Sequence, residues 1–264
     1  MNVLVLISGI ADPKWPLPAQ LDASVLAQER ASHPLLSPFD EAALELALKL
    51  RDADPATRIH ALVAAASAND ALLRQVAAFR LDQVDGFDPA CWPAWHSGAL
   101  AGALAAHLHT LNPAPDLLLI GREFGDLDDG SLPAALSAAL ALPFVPLVLA
   151  VQAHAGGVQL LRQHGAVQEQ WAQPLPALLA VTNHAHNRLR HPLLKNVMAA
   201  RKLRFECSAL PGHATEPAVP AVCLAGLRTA STPPRESACR MLDGDTASQA
   251  RALAHLLLSE GVAR

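Results

Sequence analysis

The sequence predicts an α/β fold: a mostly parallel, doubly wound sheet with helices on both faces, an antiparallel β-meander added to it, and an extended C-terminal arm ending in a helix. Three observations predict it. Short continuous apolar runs, such as Val3 to Ile7 and Leu117 to Ile120, suit strands covered on both faces. They alternate with helical stretches of roughly 10–15 residues, the rhythm of a parallel sheet. The rhythm breaks after Pro143, where alternating stretches are joined by glycine-containing turns.

Taken in order, Val3 to Ile7 is the first strand. It has no basic residue before it, which favours a strand over a signal peptide. A proline-rich loop, Asp12-Pro13 to Pro18, follows. A helix begins at Ser37, with Ser37 as N-cap, Pro38 at the first helical position and Asp40 three residues on, as in a capping box. Asp40, Glu41 and Glu45 lie near its positive end, and Lys49 and Arg51 near its negative end. Ile59 to Ala64 is a second strand, Asn69 to Phe79 a helix, Asp82 to Phe87 a weaker strand and His96 to Leu111 an alanine-rich helix closed by Asn112-Pro113. Leu117 to Ile120 then runs through Gly121 into an acidic loop (Asp126, Asp128, Asp129, Gly130) and a helix from about Leu132. Val145 to Gln152, Val158 to Gln163 and Ala166 to Trp171 form the meander, and Leu178 to Thr182 is another strand. A short helix, Lys195 to Lys202, precedes a proline-rich stretch from Glu206 to Ser237. Such a stretch without periodicity wraps a partner or lacks fixed structure. Asp245-Thr246 caps a last helix, Ala247 to Ser259. The organisation expected is a domain over residues 1–205 and an arm over 206–264.

Composition excludes several classes. The chain has 264 residues, 52% apolar and 17% charged, with a formal charge of −4. That balance gives no footprint for nucleic acid, and the absence of tyrosine argues against a base-stacking platform. No apolar run approaches the ~18 residues of a membrane span. The four cysteines (Cys91, Cys207, Cys223, Cys239) form no CxxC pair, which points to reduced thiols in the cytoplasm.

Three constellations stand out. The helix start after Gly130 offers unpaired N–H groups and a positive dipole end, as phosphate sites do. Its aspartates repel phosphate, and Pro133 removes a donor. Ser37-Pro38-Phe39-Asp40 reads as an N-cap that also lies at the carboxyl edge of the sheet, where open α/β sheets bind ligands. His184, His186 and His191 place HxH on one face if extended. With Arg188 and Arg190 beside them and no acidic or cysteine partner near in sequence, no metal site is expected. No GxSxG, P-loop or GxGxxG motif is present, so the sequence announces no catalysis.

The order of these segments resembles the β subunit of electron transfer flavoprotein. Four stretches carry the likeness: SPFDEAALELALKLRD (Ser37 to Asp52), DLLLIGREFGDLDDGSLPAALSAALALP (Asp116 to Pro143), LPALLAVTNHAHNRLRHPLLKNVMAARK (Leu175 to Lys202), and Pro233-Pro234-Arg235 with the final helix. The resemblance implies a non-catalytic subunit of an αβ heterodimer whose FAD is shared with the α subunit. Such a heterodimer takes electrons from flavin dehydrogenases and passes them to a quinone oxidoreductase or similar acceptor. It implies that Phe39 lies near the flavin, and that Ser37, Pro38, Asp40, Ala64, Asp126, Asp128, Gly130, Ser131 and Leu132 line an adenine-nucleotide site, which in the family usually buries a structural AMP. It also implies that Leu194 anchors a recognition segment with Lys195, Asn196, Val197, Met198, Ala200, Arg201 and Lys202, and that the C-terminal arm wraps the α subunit. Three departures accompany the likeness: Ser8-Gly9 stands where the family has Lys-Arg, Ser131 where it has Gln, and Pro133 where it has Gly. With two cations and one N–H lost, AMP is expected to bind weakly or not at all. The rival readings are a stand-alone adenine-nucleotide-binding module of the universal-stress type, which needs neither the Leu194 segment nor the long arm, and, more remotely, a small hydrolase.

Overall fold

The computed structural model describes residues 1–15, 34–65, 67–68, 70–89, 96–126, 128, 130–210, 226 and 241–259. Strand β1 (Asn2–Ile7) is buried on both faces. β2 (Ile10–Ala11) and β3 (Pro34–Leu35) form a small antiparallel pair. Helix α1 (Pro38–Ala53) starts with the capping box its sequence predicts: Ser37 Oγ accepts from the Asp40 N–H at 3.0 Å, and Asp40 Oδ2 accepts from the Ser37 N–H at 3.1 Å. β4 (Arg58–Ala64), α2 (Ala71–Ala77), β5 (Gln83–Asp88), α3 (Ser97–Leu108), β6 (Leu117–Gly121) and α4 (Ser131–Leu140) continue the alternation. Asp70 caps α2, so that helix starts later than the sequence suggested; Asn69 lies outside the described residues. The chain then forms β7 (Phe144–His154), β8 (Gly157–His164), β9 (Val167–Pro174), β10 (Ala177–Val181), α5 (Leu194–Ala200), β11 (Cys207–Ala209) and α6 (Thr246–Ser259).

Nine strands make one sheet in the order β11-β5-β4-β1-β6-β10-β7-β8-β9. Neighbours from β11 to β7 are parallel, and β8 and β9 add antiparallel. The fold class expected from the sequence is therefore observed, with one refinement. β7, read as the first strand of the meander, also pairs parallel with β10. Its two ladders meet at an irregularity around Leu147, whose φ of 60° is unusual for a residue with a Cβ.

Alternation along each strand builds two cores. Val3, Val5, Ile7, Ile59, Val63, Leu117 and Leu119 face α1 and α2; Leu4, Leu6, Leu62, Leu118 and Ile120 face α3 and α4. Helices thus cover both faces, and the chain crosses from one side of β1 to the other. After β1 it returns through α1 to β4; after β6 it goes through α4 to β7 on the opposite side. The gap beyond the carboxyl ends of β1 and β6 is the topological switch point, where open α/β sheets bind ligands.

One compact unit covers Met1–Leu227 and another Arg228–Arg264. Residues Cys207–Ala209, assigned to the arm by sequence, pair with β5 and so belong to the first unit. Within the second unit, Asp245 Oδ1 accepts from the Ser248 N–H at 2.8 Å at the start of α6. Pro233-Pro234-Arg235 and Cys91, Cys223 and Cys239 lie outside the described residues. No helix among the described residues is long and apolar enough to cross a membrane.

Candidate functional site

Three segments converge at the switch point: the turn after β1, the start of α1, and the acidic loop between β6 and α4. Asp40, fully buried, joins the first two. Its carboxylate accepts from the N–H groups of Ser8 (3.2 Å), Gly9 (3.0 Å) and Ser37 (3.1 Å). Burial pushes the Asp40 carboxyl above the usual carboxylate range, against the pull of the hydrogen bonds from Ser37, Ser8 and Gly9. Asp126 Oδ2 accepts from the Ala11 N–H at 3.0 Å and so ties the acidic loop to the turn after β1.

Asp128 organises the start of α4. Its Oδ1 accepts from the N–H groups of Ser131 (3.0 Å) and Leu132 (3.2 Å), and its Oδ2 from the N–H of Phe124 (2.9 Å). Ser131 Oγ lies 2.6 Å from Ser97 Oγ, linking the starts of α4 and α3. Gly130 precedes the helix with φ of 94°, a conformation that disfavours any residue with a Cβ. Pro133, at the third helical position, has no N–H to offer.

Phe39 presents a half-buried ring at the same edge. The Arg122 guanidinium stacks 4.9 Å from its centroid and is ion-paired with Glu123. Gly121 makes this approach possible: a Cβ there would stand 2.8 Å from Phe39 Cβ. Of the residues expected to line the site, Ser37, Pro38, Phe39, Asp40, Asp126, Asp128, Gly130, Ser131 and Leu132 belong to these three converging segments. Ala64 ends β4, next to β1, and is buried in the core on the α3–α4 side.

A second region lies on α5. Leu193, Leu194 and Met198 are exposed (60%, 77% and 49%), whereas Val197 and Ala200 pack against α2. Lys195 and Asn196 lie between these apolar side chains along the chain. The segment leading into α5 is bolted to α1. Glu45, its side chain only 5% exposed, accepts from the Arg190 N–H (3.1 Å), Nε (3.0 Å) and Nη2 (2.8 Å), and Asp52 accepts from Arg190 Nη1 (2.6 Å). Lys49 Nζ donates to the His186 carbonyl. The histidines do not form the extended HxH face considered from sequence. Ala185–Asn187 is a single 3₁₀ turn, His184 and His186 stack with centroids 4.8 Å apart, and buried Asn187 donates to the Thr182 and Leu149 carbonyls. No group of three or more metal-ligating side chains is found among the described residues.

The two regions, set on one scaffold, are the frame in which similarity to known proteins is informative. Residues 25–211, well over half of the chain, match the electron transfer flavoprotein domain. This chain belongs to the electron transfer flavoprotein family. It is 28% identical over 170 residues to the electron transfer flavoprotein subunit beta of Syntrophomonas wolfei subsp. wolfei, covering 64% of this chain and 65% of that protein. It is also 28% identical over 207 residues to the subunits beta of Mycobacterium bovis and Mycobacterium tuberculosis, covering 76% of each. The flavoprotein match includes β3, α1, the acidic loop and α5; it covers the α5 region and two of the three switch-point segments, and the turn after β1 precedes it.

Three features of the two regions escape sequence reasoning. Asp128 as the internal cap of α4 was missed, although its place two residues before Gly130 carried a signal, because a loop aspartate is a favoured acceptor for helix-start N–H groups. The Arg190–Glu45 clamp spans a separation of 145 residues, and nothing local announces it. The Arg122–Phe39 stack depends on the order of strands in the sheet, which local pattern does not supply.

Proposed function

We propose that this chain is the β subunit of an FAD-containing heterodimer that carries electrons from flavin dehydrogenases to a quinone oxidoreductase or similar acceptor. The observation that carries the reading is the exposed Leu193–Leu194–Met198 patch on a clamped base, within a chain of this family. Large apolar side chains flanked in sequence by Lys195 and Arg201 suit an interface that must form and release: apolar contacts supply affinity and charges supply encounter rate and specificity. Lys195, Asn196 and Met198 act with Leu194 in recognising the dehydrogenase.

At the other region, Phe39 with Arg122 over it offers a planar, cation-backed surface suited to an aromatic ring system, and this fits a flavin held mainly by the α subunit. When bound, FAD supplies the one- and two-electron chemistry. The residues of this chain position and shield it, and Phe39 excludes water from one side. The reading requires no nucleophile or acid–base pair in this chain, so the chain works as a carrier subunit and not as a catalyst. The C-terminal arm that follows β11 embraces the α subunit, and the cysteine usage accords with a cytoplasmic location. The stand-alone nucleotide-binding reading leaves the α5 patch without a purpose.

The deciding experiment is co-expression with an electron transfer flavoprotein α subunit. A yellow heterodimer that holds FAD and is reduced by a flavin dehydrogenase is the expected result. A colourless monomer would overturn the reading.

A further inference from the structure

The family's β-subunit architecture implies an adenine nucleotide whose phosphate rests on the α4 start, and the donors present do not fit it. We propose that this chain supplies its own anions there: the carboxylates of Asp40, Asp126 and Asp128 take the place of the nucleotide phosphate, and no AMP binds at the switch point.

The inference stands on where the donors point. A phosphate at this edge depends on backbone N–H groups and on cations. Among the described residues, seven N–H groups of the three converging segments donate to these carboxylates: those of Ser8, Gly9 and Ser37 to Asp40, that of Ala11 to Asp126, and those of Phe124, Ser131 and Leu132 to Asp128. The next helical position, Pro133, has no N–H. The loop's guanidinium, Arg122, is ion-paired with Glu123 and stacked on Phe39. Ser131 Oγ is within 3.2 Å of Asp128 Oδ1 and 2.6 Å of Ser97 Oγ.

A phosphate dianion entering this cradle would have to strip Asp128 of three donors and then lie beside the displaced carboxylate. Like charges at that distance repel, and the stripped carboxylate would lose its hydrogen bonds. The α4 dipole is also already engaged by Asp128 itself. An intramolecular carboxylate has a further advantage over a free ligand: it loses no translational freedom on docking. Among the described residues these seven N–H groups are thus engaged without a ligand, and Asp126 and Asp128 tie the loop to the turn after β1 and to the start of α4.

The test uses the chain as purified, independently of the flavin reading. Heat- or acid-released small molecules are separated by chromatography, and the melting temperature is followed as AMP is added. The expected result is no stoichiometric adenine nucleotide and a melting temperature unmoved by millimolar AMP, because a ligand that bound the folded state would raise it. One equivalent of AMP per chain, or a melting temperature that climbs with AMP, would overturn the proposal. A second arm uses Asp128→Ala, which frees the N–H groups of Phe124, Ser131 and Leu132. Inorganic phosphate is expected to raise the melting temperature of this variant and not that of the parent. A folded variant indifferent to phosphate would refute the substitution of carboxylate for phosphate. If the variant does not fold, the parent measurements decide alone. Loss of FAD from the heterodimer would break the electron-carrier reading and leave this result standing.

Discussion

The switch-point crevice and the α5 segment treat their polar and apolar groups in opposite ways. In the crevice, among the described residues, three carboxylates engage seven backbone N–H groups of their own chain. In the segment leading into α5, Arg190 is forked onto Glu45, whereas the apolar side chains of Leu193, Leu194 and Met198 face solvent. The first region looks inward and the second outward. The difference shows that loop carboxylates can be engaged by the chain's own N–H groups even at an edge where α/β folds ordinarily host a ligand. The uncovered apolar patch on a clamped base is the feature on which the proposed partner contact rests.

The clamp beneath α5 gives the largest expected effect. Arg190→Met leaves the Glu45 carboxylate buried without a counter-charge and is expected to cost about 3 kcal/mol of stability, measured by urea unfolding. The double variant Arg190→Met with Glu45→Leu should recover much of that loss. If the single variant unfolds like the parent, the outward region has no such base and the contrast fails. Next, Gly121→Ala forces a Cβ against Phe39 and is expected to cost about 2 kcal/mol, read as a lowered midpoint of thermal unfolding. An unshifted midpoint would mean that the crevice edge is looser than its contacts imply. Smallest in stability is Leu194→Ala, expected to change it by less than about 0.5 kcal/mol because the side chain is already in water. The same variant is expected to slow electron transfer from the dehydrogenase about tenfold while bound FAD is retained. Unchanged stopped-flow kinetics would remove the anchor role.

Much of this was legible in the chain. The period of the apolar runs identified the parallel sheet, and Ser37-Pro38 with Asp40 identified the start of α1 and its capping box, because those signals are local. The family likeness pointed to Leu194 as the centre of a recognition segment, and its side chain is exposed in the fold. The partners of the aspartates were not legible. From sequence, Asp126 and Asp128 mark a loop that would meet a ligand; in the fold they point back at Ala11, Phe124, Ser131 and Leu132. Which donor a loop carboxylate chooses depends on the path of the loop in space, and the positive φ of Gly130 turns that path. The parallel pairing of β7 was likewise hidden, since a strand's second neighbour, β10, is fixed only when the sheet assembles. Arg190 and Glu45 lie too far apart in sequence for any window to join them.

Helix α1 touches both regions. Asp40 in its first turn holds the crevice, and Glu45 and Asp52 further along hold Arg190. At about 1.5 Å of rise per residue, Asp40 and Asp52 stand about 18 Å apart along the axis. Sixteen residues of hydrogen-bonded helix, packed against β1, β6 and β7, serve as a ruler that neither stretches nor bends appreciably. Any molecule seated on Leu194 is therefore held at a set spacing from Phe39, with no moving part required to establish it.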